Sequence, residues 1–453
     1  ARTIPEFHDA GARFMNAESD HAWGPNGLGY YLATRLLWDV TDAERVDQIV
    51  DDFLEKSFGS AKEPMGEFYG LITGTPRPRI SNHLVGRMYR LLDEARSATS
   101  DPDALARIND LVLYTRYVEL HRAYSNVKGD GKQAALDELM TFAWRIRKTI
   151  MPGSVGVLAY LNRTVRRDNS GLEWGEGYTA TRPPERMRER EDEPFSESEL
   201  AALIENGIEN NPTLNFEPID FAKRLAPTAP LNLSDAGALG RKPTSSRTRG
   251  RAEYYTWFAQ PPAAIELEIT TGTIYDNRGP ATVTLEQWDD DLQDYEAVDT
   301  QEVPPDKQPH RIVLRGQRPG LHRVVVEERM SGTTTVWPGD LPRTMRTSME
   351  HANHVHGRDD WYFYVPKGTR VIGAYVSARG GHIANPDGEQ VVSFENETFR
   401  DYLSIDVPEG QDGRLWRAHR IAGSVQLLTV PPYGAPSPED LLLPADVVEA
   451  DAR

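Results

Sequence analysis

The feature that most constrains this chain is a change in hydrophobic period partway along it. Before about residue 210, apolar residues recur at spacings of three and four; after about residue 250 they alternate. A period near 3.6 lays an apolar stripe along a helix, whereas a period of two lays an apolar face along a strand. A chain that carries first one and then the other is expected to build a helical part followed by a β part.

In the first part, Gly11 to Met15 reads as a short buried strand and Leu28 to Trp38 as a helix. Thr41 and Glu44 have the spacing of a capping box, in which each side chain satisfies a free amide at a helix start. Behind them Val46, Ile49, Val50, Phe53 and Leu54 share one face, and Gly59 stops the helix. A further helix is expected over Ser81 to Ala98. Asp101 then caps another that has Pro102 at its first position and Leu105, Ile108, Val112 and Val118 as its inner stripe. After the break at Gly129-Asp130-Gly131, a last long helix runs to about Ile150. The short links imply antiparallel packing. Residues 152 to 195, rich in glycine, proline and charge, read as a long surface loop, and Ser196 to Glu209 as one more short helix.

In the second part, Ile265, Leu267 and Ile269 alternate with Glu266 and Glu268, and Leu403, Ile405 and Val407 with Ser404 and Asp406. Alternation broken by regular turn residues means antiparallel sheets, and one or two β-sandwich modules are expected, divided at Pro338-Gly339-Asp340. The expected boundaries are a helical domain over 41–210, a linker over 211–250, β modules over 251–337 and 338–446, and a tail over 447–453.

Composition narrows the partners. The 453 residues carry a net charge of -18, which disfavours nucleic acid and anionic membranes because both need a basic surface. No apolar run is long enough to span a membrane. The chain contains 0 cysteines, so disulfides, thiolate metal sites and cysteine nucleophiles are excluded. Residue 1 is Ala, and the start lacks the layout of a signal peptide, so a removed leader or a longer parent polypeptide is expected.

The densest polar constellation is Glu18, Asp20, His21 and Trp23, followed by Tyr30 and Tyr31. A carboxyl group can protonate a glycosidic oxygen or attack a sugar ring, and an aromatic face can stack on the sugar. A carboxylate-rich loop ahead of a helix also serves capping and solvation. In His351-Ala352-Asn353-His354-Val355-His356, His354 and His356 alternate as a strand-borne metal site would, yet no thiol or obvious third ligand accompanies them, and no metal is expected at His351, His354 or His356. Asp289, Asp290, Asp291 and Asp294 lack the calcium-loop pattern and read as a solvated hairpin. No phosphate loop, nucleophile elbow or zinc-protease helix occurs, and no cofactor is expected.

The stretch Gly27-Leu28-Gly29-Tyr30-Tyr31-Leu32-Ala33-Thr34-Arg35-Leu36-Leu37-Trp38-Asp39, with Val46 to Phe58-Gly59, resembles the junction between barrel and helical domain in α-glucuronidases and a related domain family of unknown function. Tyr362-Phe363-Tyr364-Val365-Pro366-Lys367-Gly368, Val407 to Gly413, Trp416 and Val430-Pro431-Pro432-Tyr433 resemble the β-sandwich tails of large secreted polysaccharide-degrading proteins. The resemblance implies that residues 1–40 end a (β/α)8 barrel, which needs about 250 residues in all. Most of that barrel is then expected on an upstream segment or a companion chain. Glu18 falls at the catalytic rim as the candidate catalytic residue. Asp20, His21, Trp23, Tyr30 and Tyr31 are the candidate substrate-binding residues. The expected function is the C-terminal portion of a secreted, cell-surface or periplasmic glycoside hydrolase with a carbohydrate substrate. The alternative is a non-catalytic carbohydrate-binding or structural surface protein.

Overall fold

The structure is a computed structural model. It describes residues 3–16, 22–73, 78–153, 172, 185, 188, 190–233, 241–350, 355–356, 360–395 and 398–453. The chain divides into two compact units, Ala1–Thr213 and Leu214–Arg453.

The first unit is helical. Its helices are α1 (Thr3–Asp9), α2 (Trp23–Trp38), α3 (Val46–Phe58), α4 (Lys62–Thr73), α5 (Asn82–Ala98), α6 (Pro102–Asn126), α7 (Gly131–Arg145) and α8 (Glu197–Asn210). The Asp101 cap is the one the sequence predicts, and Ser81 and Ser196, read as helix starts, cap as well. Ser81 accepts from the Leu84 amide at 3.1 Å, and Asp101 accepts from the Ala104 amide at 2.8 Å, with Pro102 opening α6. Ser196 and Glu199 form a reciprocal capping box at the start of α8. Ile108, Val112 and Val118 of α6 are buried with Met65 and Phe68 of α4 and Met88 of α5 in one apolar cluster, and Leu105 is half-buried. Only Thr99 to Asp101 separate α5 from α6, and the two helices pack together, so the chain must turn back on itself. At Gly207 of α8 an added Cβ would lie 2.3 Å from the Tyr89 ring of α5, so the crossing of these helices requires a residue with no side chain.

Three local expectations are corrected. Residues 12–16 lie in neither helix nor strand, and the helix α1 precedes them. A strand needs a neighbour to pair with, and the described residues of this unit offer none. Thr41 and Glu44 form no capping box: Val40–Arg45 is a 3-10 helix capped by Asp39, whose carboxylate accepts from the Thr41 amide at 3.0 Å and hydroxyl at 2.7 Å. α7 ends at Arg145, and turns carry the chain to Ile150. Most of 152–195 lies outside the described residues.

The second unit holds strands β1 (Leu225–Pro227), β2 (Thr244–Thr248), β3 (Arg251–Phe258), β4 (Ala264–Thr271), β5 (Ala281–Asp289), β6 (Asp294–Val303), β7 (His310–Arg315), β8 (Gly320–Glu327), β9 (Thr333–Trp337) and β10 (Thr344–Arg346). It continues with β11 (Val355–His356), β12 (Asp360–Val365), β13 (Val371–Ala378), β14 (His382–Ala384), β15 (Gln390–Ser393), β16 (Phe399–Asp406), β17 (Arg414–His419), β18 (Ala422–Leu427), β19 (Tyr433–Gly434) and β20 (Leu442–Pro444), then helix α9 (Ala445–Asp451). The pairs of neighbouring strands are antiparallel, and no sheet among the described residues closes into a barrel.

Alternation places the core as expected. Ile265, Leu267 and Ile269 of the sheet β2-β9-β4-β7 are buried in one cluster with Val283, Leu285 and Val324 of the six-stranded sheet β19-β10-β3-β8-β5-β6. Phe363, Ile383 and Trp416 of the sheet β12-β17-β14-β15 share a second cluster with Ala374, Val376 and Val425 of β11-β18-β13-β16. Asp289 to Asp294 turn the β5–β6 hairpin, where Asp289 accepts from the amides of Asp291 and Leu292.

The six-stranded sheet runs across the Pro338-Gly339-Asp340 break, because β10 and β19 add to the edge of β3. The stretch read as a linker, 211–250, contains β1, which pairs with β20, and β2. Phe221, Ala226, Leu231 and Leu233 pack against the cluster of Tyr362, Tyr364 and Leu443. The stretch read as a tail, 447–453, lies largely in α9, where the Asp451 carboxylate accepts from the Tyr364 hydroxyl at 2.8 Å and the Lys367 amide at 2.9 Å.

Candidate functional site

Glu18, Asp20 and His21 lie outside the described residues. The residues that follow them are placed by α2. Trp23 opens this helix and Tyr30 stands seven positions on, two turns along the same face. Their rings meet with centroids 4.4 Å apart at 37°, and the Trp23 side chain is 49% exposed. Each ring joins an apolar face to a polar edge, which suits contact with a hydroxylated ligand. Tyr31, one residue on, leaves that face. Its ring packs on Phe53 of α3 at 5.6 Å, and its hydroxyl sits against Arg35. The structure thus brings Trp23 and Tyr30 together and directs Tyr31 into the packing between helices. The start of α2 is tied down by the Gly24 amide, which donates to the Ile150 carbonyl at 3.2 Å.

The far end of α2 carries an arrangement that sequence reasoning missed. Asp42 is buried, with a side chain only 2% exposed, and both its oxygens are engaged. Arg35 Nε donates to Oδ2 at 2.9 Å, and Arg45 Nε donates to Oδ1 at 2.8 Å. The Arg45 guanidinium, with that of Arg35, holds the Asp42 carboxyl below the usual carboxylate range, against burial, which pushes it up. This shared carboxylate pins α2 to the 3-10 turn and hence to α3. Arg35 belongs to the Arg-Leu-Leu-Trp-Asp stretch, but Asp42, which lies between Thr41 and Glu44 of the expected capping box, carried no reading of its own. The spacing of two arginines around it was the available signal.

Phe14 and Trp38 are each 92% exposed, and Leu37 is half-exposed. Among the described residues, no group of three or more histidines, aspartates or glutamates could hold a metal ion, and no helix is long and apolar enough to cross a membrane. His356 lies in β11, paired with Ala422, while His351 and His354 fall outside the described residues.

Comparison with known proteins gives little to set beside this geometry. No family model matches the chain, and no curated protein matches it. Among solved structures, a family GH115 4-O-methyl-α-glucuronidase with specificity for decorated arabinogalactans aligns at 14% identity. The alignment covers 67% of this chain and 43% of that one, so this chain spans less than half the length of that enzyme. The TM-score is 0.20, too low to establish a shared fold.

Proposed function

We propose that this chain is the C-terminal portion of a secreted or cell-surface glycoside hydrolase acting on an oligosaccharide or polysaccharide, its catalytic (β/α)8 barrel lying mostly outside these residues. The observation that carries the reading is the Trp23–Tyr30 ring pair, which follows directly in the chain on Glu18, Asp20 and His21. An aromatic platform beside carboxylates is what sugar binding and glycosidic cleavage need. In this reading Glu18 is the catalytic carboxyl, and Asp20, His21, Trp23, Tyr30 and Tyr31 contact or support substrate. Its partner carboxyl, about 5 to 9.5 Å away depending on mechanism, comes from the upstream barrel. Exposed Phe14, Leu37 and Trp38 pack on that barrel's wall, and the paired sheets of the second unit are sandwich modules.

The test is Glu18→Gln in the native-length protein, with turnover measured on plant polysaccharides. Gln keeps size and hydrogen bonding but removes the titratable proton. A catalytic Glu18 costs on the order of 10² or more in turnover. Unchanged turnover removes Glu18 from the site. A native protein that is retained on polysaccharide yet hydrolyses none supports the non-catalytic binding reading instead.

A further inference from the structure

The second unit places two imidazoles side by side with a carboxylate behind one of them. β14 is short and begins at His382, directly after Gly380-Gly381. Gly381 has φ +81°, and a Cβ on it would lie 2.5 Å from the His419 carbonyl oxygen. Only glycine lets the chain enter β14 so close to β17. The Gly381 amide donates to Glu395 Oε1 at 3.0 Å, and its carbonyl accepts from the Phe394 amide at 2.8 Å, which fixes the entry. His382 therefore stands opposite His419 in register, with ring centroids 4.6 Å apart and planes at 36°. On the other side of His419, in register on β12, stands Asp360, whose Oδ1 lies 2.6 Å from His419 Nδ1.

We propose that His382 and His419 form a two-imidazole site for a nitrogen-preferring divalent transition-metal ion, with Asp360 as the positioning carboxylate. A ring nitrogen binds zinc at about 2.0–2.1 Å, which puts the metal roughly 3.1 Å from a ring centre. Two rings on one ion then have centres about 4.4 Å apart at a right angle and about 5.1 Å apart at the tetrahedral angle. The observed 4.6 Å falls between these limits. Asp360 holds the proton on Nδ1 of His419 and leaves the Nε2 lone pair as the donor, the usual carboxylate–histidine–metal arrangement. Arg417 lies 3.5 Å from the other oxygen of Asp360 and shares that carboxylate with the imidazole. No third protein ligand joins the pair among the described residues, so the remaining positions fall to water and the site exchanges its metal. Imidazole pairs favour Cu2+ over Zn2+ and do not select Mg2+ or Ca2+. The inference is independent of the glycosidase reading.

The test is calorimetric titration of the metal-free full chain with Cu2+ alone and with Zn2+ alone at pH 7.5, repeated at pH 5.5. One equivalent should bind, Cu2+ more tightly than Zn2+, and binding should weaken at pH 5.5, where protons compete for the imidazoles. His382→Gln and His419→Gln should each weaken that binding at least tenfold. Asp360→Asn should weaken it about 10- to 100-fold while the fold persists by circular dichroism. His310→Gln, which removes an imidazole paired instead with Asp306, should leave it unchanged. Absence of stoichiometric uptake, or uptake lost equally in His310→Gln or only in a His354→Gln/His356→Gln double variant, overturns the proposal.

Discussion

At the scale of single residues, the Asp101 cap was legible, and the side chains that burial changes were not. Asp101, like Ser81 and Ser196, acts through the amide three positions on, a local spacing that a sequence displays. Asp110 of α6 shows the other case. Burial pushes its carboxyl up to about 6, and among the described residues it has no hydrogen-bond or ion-pair partner to offset the desolvation. Its folded value lies above its ordinary one, so its contribution to stability is fully present below about pH 4. That contribution is lost as pH rises through about 6. Asp110→Asn should therefore leave stability unchanged near pH 4 and raise it at pH 7. The gain should be about 1 kcal/mol, the full shift being reduced because the group is partly solvated. Urea denaturation at the two pH values checks this; equal effects at both would show that the carboxyl is not desolvated in the fold. Asp42 was equally hidden. Its burial depends on α2 folding back over the 3-10 turn, which the local pattern does not encode, and its neighbour Asp39 took the cap that Thr41 was expected to fill.

Among elements, long periodic segments were read well because many positions vote for one face. α5 and α8 begin and end within a residue of their expected bounds, and α6 begins at the expected Pro102. α4 was not singled out, because Pro64, Gly66 and Gly70 dilute its stripe, although Met65, Phe68 and Tyr69 bury one side of it. The expected strand at Gly11 to Met15 had too few residues for a period to mean anything, and nothing among the described residues of its unit pairs with it. The close crossing of α5 and α8 yields a prediction at this scale. Gly207→Ala must displace the Tyr89 ring, whose hydroxyl donates to Glu119 Oε2 at 2.9 Å, and should cost about 1–3 kcal/mol by overpacking. Ser196→Ala, which removes a cap on the same helix, should cost about 1 kcal/mol. A Gly207→Ala variant as stable as wild type in urea would mean that the helices separate freely there. Of the candidate site, Glu18, Asp20 and His21 lie outside the described residues, and the sequence grouped Trp23, Tyr30 and Tyr31 by residue type alone. Helical geometry was needed to separate Tyr30, which joins Trp23, from Tyr31, which packs on Phe53.

For the whole molecule, the change of period located the helical and β units, but not the connections within the second one. Three-residue strands such as β1 and β20 carry no readable alternation, so their pairing was invisible and the segment before β2 was read as a linker. The consequence can be tested by truncation. A fragment covering 214–453 should melt cooperatively. One trimmed to 251–446 loses β1, β2 and most of α9, uncovering Tyr364 and Leu443, and should melt well below it or fail to fold. Equal melting temperatures would show that these segments contribute nothing to the unit. The same pairing bears on how the protein is made. Leu225 joins Pro444, and the sheet that contains β3 is completed by residues 433–434. A ribosome delivers the first of these partners long before the last. Contacts of such sequence separation are slow to form, because the intervening loop must close before it is rewarded. During synthesis β10, already paired with β3 on one side, waits with its other edge open, a template for pairing with another nascent chain. The yield of this unit in a cell should therefore depend on chaperones that cover such edges until residues 433–444 have emerged.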